Sequence, residues 1–134
     1  TRHAVYPNLV LLKYSQLSSN FSEIIVQECR GIIVDEENNW NVVALPYTKF
    51  FNYDEHHACK IDWTEPKKMV ITEKVDGSLM TLYFYNGNWE VSTSGKPDAE
   101  GFVKTHNTEE KITYKKLFWD LFSRCNYQIP SEED

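Results

Sequence analysis

Asn86-Gly87 stands between two runs of strand-forming residues, Leu79 to Tyr85 and Trp89 to Thr93, and it constrains the fold more than any other short stretch. Both turn positions tolerate positive φ, which the tightest hairpins demand, so the runs are expected to lie antiparallel across a two-residue connection. Leu79 to Tyr85 is apolar on both faces, which predicts a central place in a sheet. Leu9 to Tyr14 reads as a further strand, followed by a turn at Ser18-Ser19-Asn20. The β-branched runs Ile24-Ile25-Val26 and Gly31-Ile32-Ile33-Val34, with Asn41-Val42-Val43-Ala44-Leu45, predict strands joined by the polar turn Glu36-Glu37-Asn38-Asn39. Met69-Val70-Ile71-Thr72 predicts one more, while Asp54 to Ile61 is open between a short helix and an irregular loop. Tyr114, Leu117, Phe118, Leu121 and Phe122 recur at helical spacing with polar residues between them. The pattern is α+β: antiparallel sheets with packed helices, one of them late in the chain.

A chain of 134 residues, 41% hydrophobic and 25% charged, accommodates one domain with a packed core. Fourteen Lys and Arg against 20 Asp and Glu leave a net charge of −6. That excludes a basic scaffold gripping nucleic acid by bulk electrostatics, and leaves room for a local basic groove. Apolar stretches such as Leu9 to Leu12 are too short to span a bilayer, and no secretory signal follows the opening Thr1-Arg2-His3. The missing initiator Met suits processing or a trimmed chain. Cys29, Cys59 and Cys125 are widely spaced and odd in number, which argues against a disulfide framework and for a reducing, cytoplasmic compartment.

The chemistry centres on Glu73-Lys74-Val75-Asp76-Gly77-Ser78. A lysine at a strand end, followed by a carboxylate and a glycine turn, is a nucleophile arrangement. The strand fixes the amine's direction, and Gly77 lets the backbone turn tightly and approach a phosphate. An amine attacks only when neutral, so Lys74 requires desolvation, nearby cations or a metal to release its proton. Asp76 is placed to hold the ammonium or an associated metal in the resting site. The plain alternative is an exposed Lys-Asp pair on a β-turn.

This segment resembles motif I of the covalent nucleotidyltransferases, the superfamily of ATP-dependent DNA and RNA ligases and mRNA capping enzymes. With Ser78-Leu79 following, it is most similar to the RNA ligase branch typified by the phage tRNA-repair ligase. Upstream, Glu28-Cys29-Arg30-Gly31-Ile32-Ile33 is similar to that branch's Arg-Gly-Ile strand, and Lys49-Phe50-Phe51-Asn52 to its Lys-Phe-Phe-Asn element. The elements come in the family's order with comparable spacing and cover roughly residues 24 to 95. The resemblance implies a ligase-like nucleotidyltransferase fold and a Lys74-linked AMP made from ATP with Mg²⁺. It implies passage of that AMP to an RNA 5′-phosphate, then sealing by a 3′-hydroxyl. By matched position Lys74 is the nucleophile and Glu73 an adenine contact, with Asp76 and Gly77 beside them. Arg30 and Lys49 meet phosphates or ribose, and Phe51 supports the nucleotide pocket. The expected partners are ATP and RNA ends, with no membrane, and the expected state is a monomer.

Two departures stand out. The family places a basic residue just before the glycine of the strand after the hairpin, where this chain has Ser94, and Lys96 beyond Gly95 is the candidate replacement; a simple turn at Ser94-Gly95-Lys96-Pro97 is the other reading. Glu100-Gly101-Phe102-Val103 and Lys115-Lys116 superficially resemble later family motifs but fall too soon after Lys74. Residues 1–134 are therefore expected to be the N-terminal portion of an incomplete nucleotidyltransferase domain. A DNA ligase, a GTP-dependent capping relative and a non-catalytic nucleotide- or RNA-binding module remain the alternatives. Asp54-Glu55-His56-His57-Ala58-Cys59 concentrates metal-ligand types, but no second cluster completes a tetrahedral site, so a polar loop with a buried cysteine is expected. Cys29 and Cys125 read as small core residues, and Trp40 and Trp89 as aromatics closing a sheet face beside turns.

Overall fold

Two antiparallel sheets and two helices organise the computed structural model, which describes residues 1–65, 67, 69–103 and 111–131. In chain order the elements are β1 (Leu9–Lys13), α1 (Ile24–Glu28), β2 (Arg30–Asp35), β3 (Asn41–Ala44), β4 (Met80–Tyr85), β5 (Asn88–Thr93) and α2 (Tyr114–Arg124). The first sheet runs β1-β2-β3 with β2 in the middle, and the second is the β4-β5 hairpin. Asn86 and Gly87 adopt φ of 49° and 78°, the positive values that the hairpin demands, and hold Tyr85 opposite Asn88.

Alternation along β1 and β2 sends Leu9, Leu11 and Ile33 into a core completed by Ala44 of β3 and Tyr83 of β4. Tyr6, Val43 and Tyr85 pack around it, so this small cluster joins the two sheets. A polar link reinforces the join. Asp35 accepts hydrogen bonds from the Asn8 amide at 2.7 Å and the Tyr85 hydroxyl at 2.9 Å. Those bonds, the Asn8 contact foremost, hold the Asp35 carboxyl below the usual carboxylate range.

The N-terminal segment is pinned by a buried histidine. His3 Nδ1 accepts from the backbone N–H groups of Val5 and Tyr6, both at 3.1 Å, which leaves the proton of the neutral ring on Nε2. Nε2 is buried without a hydrogen-bond partner, 4.0 Å from Glu90 Oε2. Glu90 in turn accepts from Lys115 Nζ at 2.8 Å, tying β5 to α2.

Several sequence expectations are corrected. Ile24-Ile25-Val26 is not a strand but the start of α1, and Ile24 and Ile25 are exposed. Asn20 accepts from the Ser22 N–H and the Gln27 amide donates to the Phe21 carbonyl, so local side-chain bonds shape a turn that β-propensity opposes. Met69-Val70-Ile71-Thr72 forms no strand. Val70 and Ile71 are 87% and 90% exposed, because no described strand lies alongside to take their backbone hydrogen bonds. Leu79 to Tyr85 is not central, since β4 pairs with β5 alone among the described strands. Asp54 to Ile61 resolves into turns, and Cys59 and Cys125 are exposed rather than buried. Trp89 packs on Phe84 at 5.3 Å, whereas Trp40 is exposed. The terminal Glu132-Glu133-Asp134 lies outside the described residues. Among the described residues no helix is long and apolar enough to cross a membrane.

Candidate active site

Lys74 stands on the irregular segment that leads into β4. Its Nζ donates to Asp76 Oδ1 at 3.2 Å, with the two side chains 69% and 98% exposed. An ion pair this open adds little to stability, so the carboxylate holds the ammonium loosely and within reach of solvent. Gly77 takes φ of +149°, and no atom lies within 4 Å of where its β-carbon would stand. The approach to the backbone beside Asp76 is therefore clear. Glu73 is exposed on the same segment.

A second group of candidates forms around the start of β2. The Arg30 guanidinium lies 4.4 Å above the Phe50 ring and donates to the Thr48 carbonyl at 3.3 Å. Lys49 donates its backbone N–H to the Gln27 carbonyl at 2.8 Å, which ties this segment to α1. The Lys49 amine sits 5.1 Å from the Phe51 ring centre and 5.6 Å from that of Phe21. Phe51 meets Phe21 edge-on at 6.2 Å and His57 at 5.5 Å, so the lysine is held against an aromatic floor. Asn52 gives Glu55 both its backbone N–H and its side-chain amide. These bonds, with the Lys49 charge adding to them, keep the Glu55 carboxyl below its usual range.

Gly31 joins this corner to the end of the hairpin. It is the extra residue of a β-bulge, unpaired between Leu12↔Ile32 and Lys13↔Arg30, with φ of +106°. A β-carbon there would lie 3.2 Å from Ser94 Cα, so only glycine lets the Ser94-Gly95 turn close on β2. The turn itself is set by Thr93, whose Oγ1 accepts from the N–H groups of Gly95 and Lys96.

Lys96 does not point back at Gly95. Its Cδ lies 3.8 Å from the place of a Gly101 β-carbon, so its stem runs toward Gly101. Lys13, at the end of β1, was not singled out from the sequence. The signal is its pairing with Arg30, which is legible only once the strand register is known.

Arg30, Lys49 and Phe51 thus share one corner, and Ser94-Gly95 closes on its edge. Glu73, Lys74, Asp76 and Gly77 stay together on their own exposed segment, where the described contact of Lys74 is with Asp76. An open apolar groove of about 420 Å³, lined by Met80, Leu117, Phe118 and Leu121 among others, is reached by the Lys74 motif only at Ser78 and contains none of the candidate nucleotide contacts. The His56 and His57 rings meet edge-on at 4.7 Å, and the described residues contain no group of three His, Cys, Asp or Glu able to hold a metal ion.

The sequence profile of an RNA ligase family matches residues 28–126, a span that includes Arg30, Lys49, Phe51, Lys74 and Lys96. A Rhodothermus phage RM378 protein named RNA ligase is 30% identical over 140 residues, which is 87% of this chain and 32% of the relative. A protein of Autographa californica nuclear polyhedrosis virus, whose name joins polynucleotide kinase and RNA ligase, is 29% identical over 123 residues, or 84% of this chain and 17% of that one. The chain therefore spans about a third and about a sixth of these relatives' lengths. No solved structure matches it.

Proposed function

The chain belongs to the RNA ligase family whose profile covers residues 28–126, and from that premise we propose that Lys74 takes AMP from ATP for transfer to an RNA 5′-phosphate. In the first step the neutral Lys74 amine attacks the α-phosphorus. A P–N bond forms, the P–O bond to the β-phosphate breaks, and pyrophosphate leaves with the electron pair. The amine's proton passes to water or to Asp76. In the second step an RNA 5′-phosphate oxygen displaces the lysine nitrogen and takes up the AMP. In the third, a 3′-hydroxyl attacks that activated 5′-phosphate, a phosphodiester forms, and AMP leaves.

The observation that carries this reading is the RNA ligase family match over residues 28–126, within which Lys74 stands on an exposed segment beside a glycine that leaves the backbone clear for a phosphate. Arg30 and Lys49 supply fixed cations for the phosphates, and Phe51 an aromatic surface for the base. Glu73 is assigned an adenine contact, and Asp76 holds the amine until it loses its proton. The described residues fit the nucleotide better than a resident metal, because they gather no cluster of ligands. Mg²⁺ is read as arriving with the triphosphate. Residues 1–134 are read as the N-terminal portion of the nucleotidyltransferase domain, which accords with the greater length of both relatives.

Strand sealing tests the proposal. The longest polypeptide carrying this sequence, given ATP and Mg²⁺, is expected to join RNA bearing a 5′-phosphate to RNA bearing a 3′-hydroxyl, and Lys74→Ala is expected to lose joining altogether. Joining of DNA ends in preference, or use of GTP instead, would move the reading to a DNA ligase or a capping relative. Tight nucleotide binding without joining would make it a binding module.

A further inference from the structure

Two cations face each other across the β1–β2 ladder. Lys13 is the register partner of Arg30, placed there by the Gly31 bulge, and cross-strand partners share a face. Like charges directly opposite in a ladder are destabilising. No carboxylate among the described residues forms an ion pair with either, although the chain holds 20 acidic residues and a net charge of −6. The Arg30 guanidinium rests on the Phe50 ring and spends one of its five N–H donors on the Thr48 carbonyl. The Lys13 amine lies 3.8 Å from the place of a Gly95 β-carbon, over the turn that Gly31 admits to this edge. Three features thus converge: a strand-end lysine with no acid partner among the described residues, an arginine opposite it, and a glycine that leaves space under the amine. Lys96, the cation nearer in sequence, runs toward Gly101 instead.

We propose that Lys13 is a phosphate-binding residue of the same site, meeting an anionic phosphate that lies between it and Arg30 across the Ser94-Gly95 turn. This inference rests on the nucleotide reading above. The shared ligand chemistry is a phosphate group, carried either by the ATP triphosphate or by the RNA 5′ end.

The test compares Lys13→Met, Lys13→Arg and Lys96→Met in the longest polypeptide carrying this sequence, with ATP and a 5′-phosphorylated RNA as the probes. Lys13→Met is expected to raise the apparent KM for ATP in adduct formation, or for the RNA 5′-phosphate in sealing, by about tenfold, as loss of one charge-assisted phosphate contact predicts. Whichever of the two moves identifies the source of the phosphate. Lys13→Arg keeps the charge and is expected to restore most of the affinity, while Lys96→Met is expected to raise either value less than Lys13→Met does. Unchanged KM values in a folded Lys13→Met variant overturn the proposal, as does equal loss in Lys13→Arg, or a larger loss in Lys96→Met. A folded wild type that forms no adduct fails differently: it overturns the nucleotide reading, and the role of Lys13 falls with it.

Discussion

A single missing β-carbon decides how the two sheets meet at the candidate site. Gly31 combines φ of +106° with a 3.2 Å approach to Ser94 Cα, so alanine there brings backbone strain and a contact with main-chain atoms that cannot swing away. Gly31→Ala is expected to cost about 1–3 kcal/mol, read as a lower urea midpoint at an unchanged slope. His3 gives a second test at this scale. Burial pushes its imidazole below the ordinary value of about 6.5, so the unfolded chain binds its proton more readily than the folded one. The contribution of His3 is therefore complete above that value and is lost as the pH falls below it. The urea midpoint is expected to drop between pH 7 and pH 5.5, and less so in His3→Asn, whose side-chain oxygen can still accept from Val5 and Tyr6. Equal drops in both proteins would contradict this. Neither residue announced its role in the sequence. Gly31 was legible as part of a motif and not as the hinge of a close approach, and His3 stood out only as one of the first three residues.

Among the elements, those whose signal is local were legible and those that depend on partners were not. The Asn86-Gly87 hairpin is set by its own turn residues, and α2 by its own periodicity. By contrast, Met69 to Thr72 has strand-forming residues and no strand, because a strand exists only with a neighbour to receive its hydrogen bonds. Ile24 to Val26 lost to local side-chain bonds within a single turn. The same rule explains the site. Arg30 reaches Thr48 and Phe50, and Lys49 reaches Phe51, because β2 and residues 48–51 are adjacent in space, whereas Lys13 is brought to Arg30 only through strand register. For α2, Thr113 accepts a hydrogen bond from the Lys116 N–H at the helix start. Thr113→Ala is expected to cost about 1 kcal/mol of stability, measured as a lower thermal midpoint. No change would mean that the packing of α2 on β5 holds the helix without its cap.

At the scale of the whole molecule, a chain of net charge −6 is read as handling two polyanions, ATP and RNA. The resolution is local. Arg30, Lys49 and Lys13 cluster around one end of β2 with none of the described acids paired to them, while acids such as Glu36 and Asp120 are paired elsewhere, to Arg2 and Lys116. Surface charge is thus sorted by place, which a composition total averages away. What ties the whole molecule to that chemistry is a Lys74 that carries AMP through a P–N bond. Its most direct test is the intact mass of the longest polypeptide carrying this sequence after incubation with ATP and Mg²⁺, with the adduct located by peptide mapping. One AMP per chain, labile to acid, attached at Lys74 and absent from Lys74→Ala, is the predicted result. A folded protein that takes up no AMP, or one whose adduct persists in Lys74→Ala, would contradict the account.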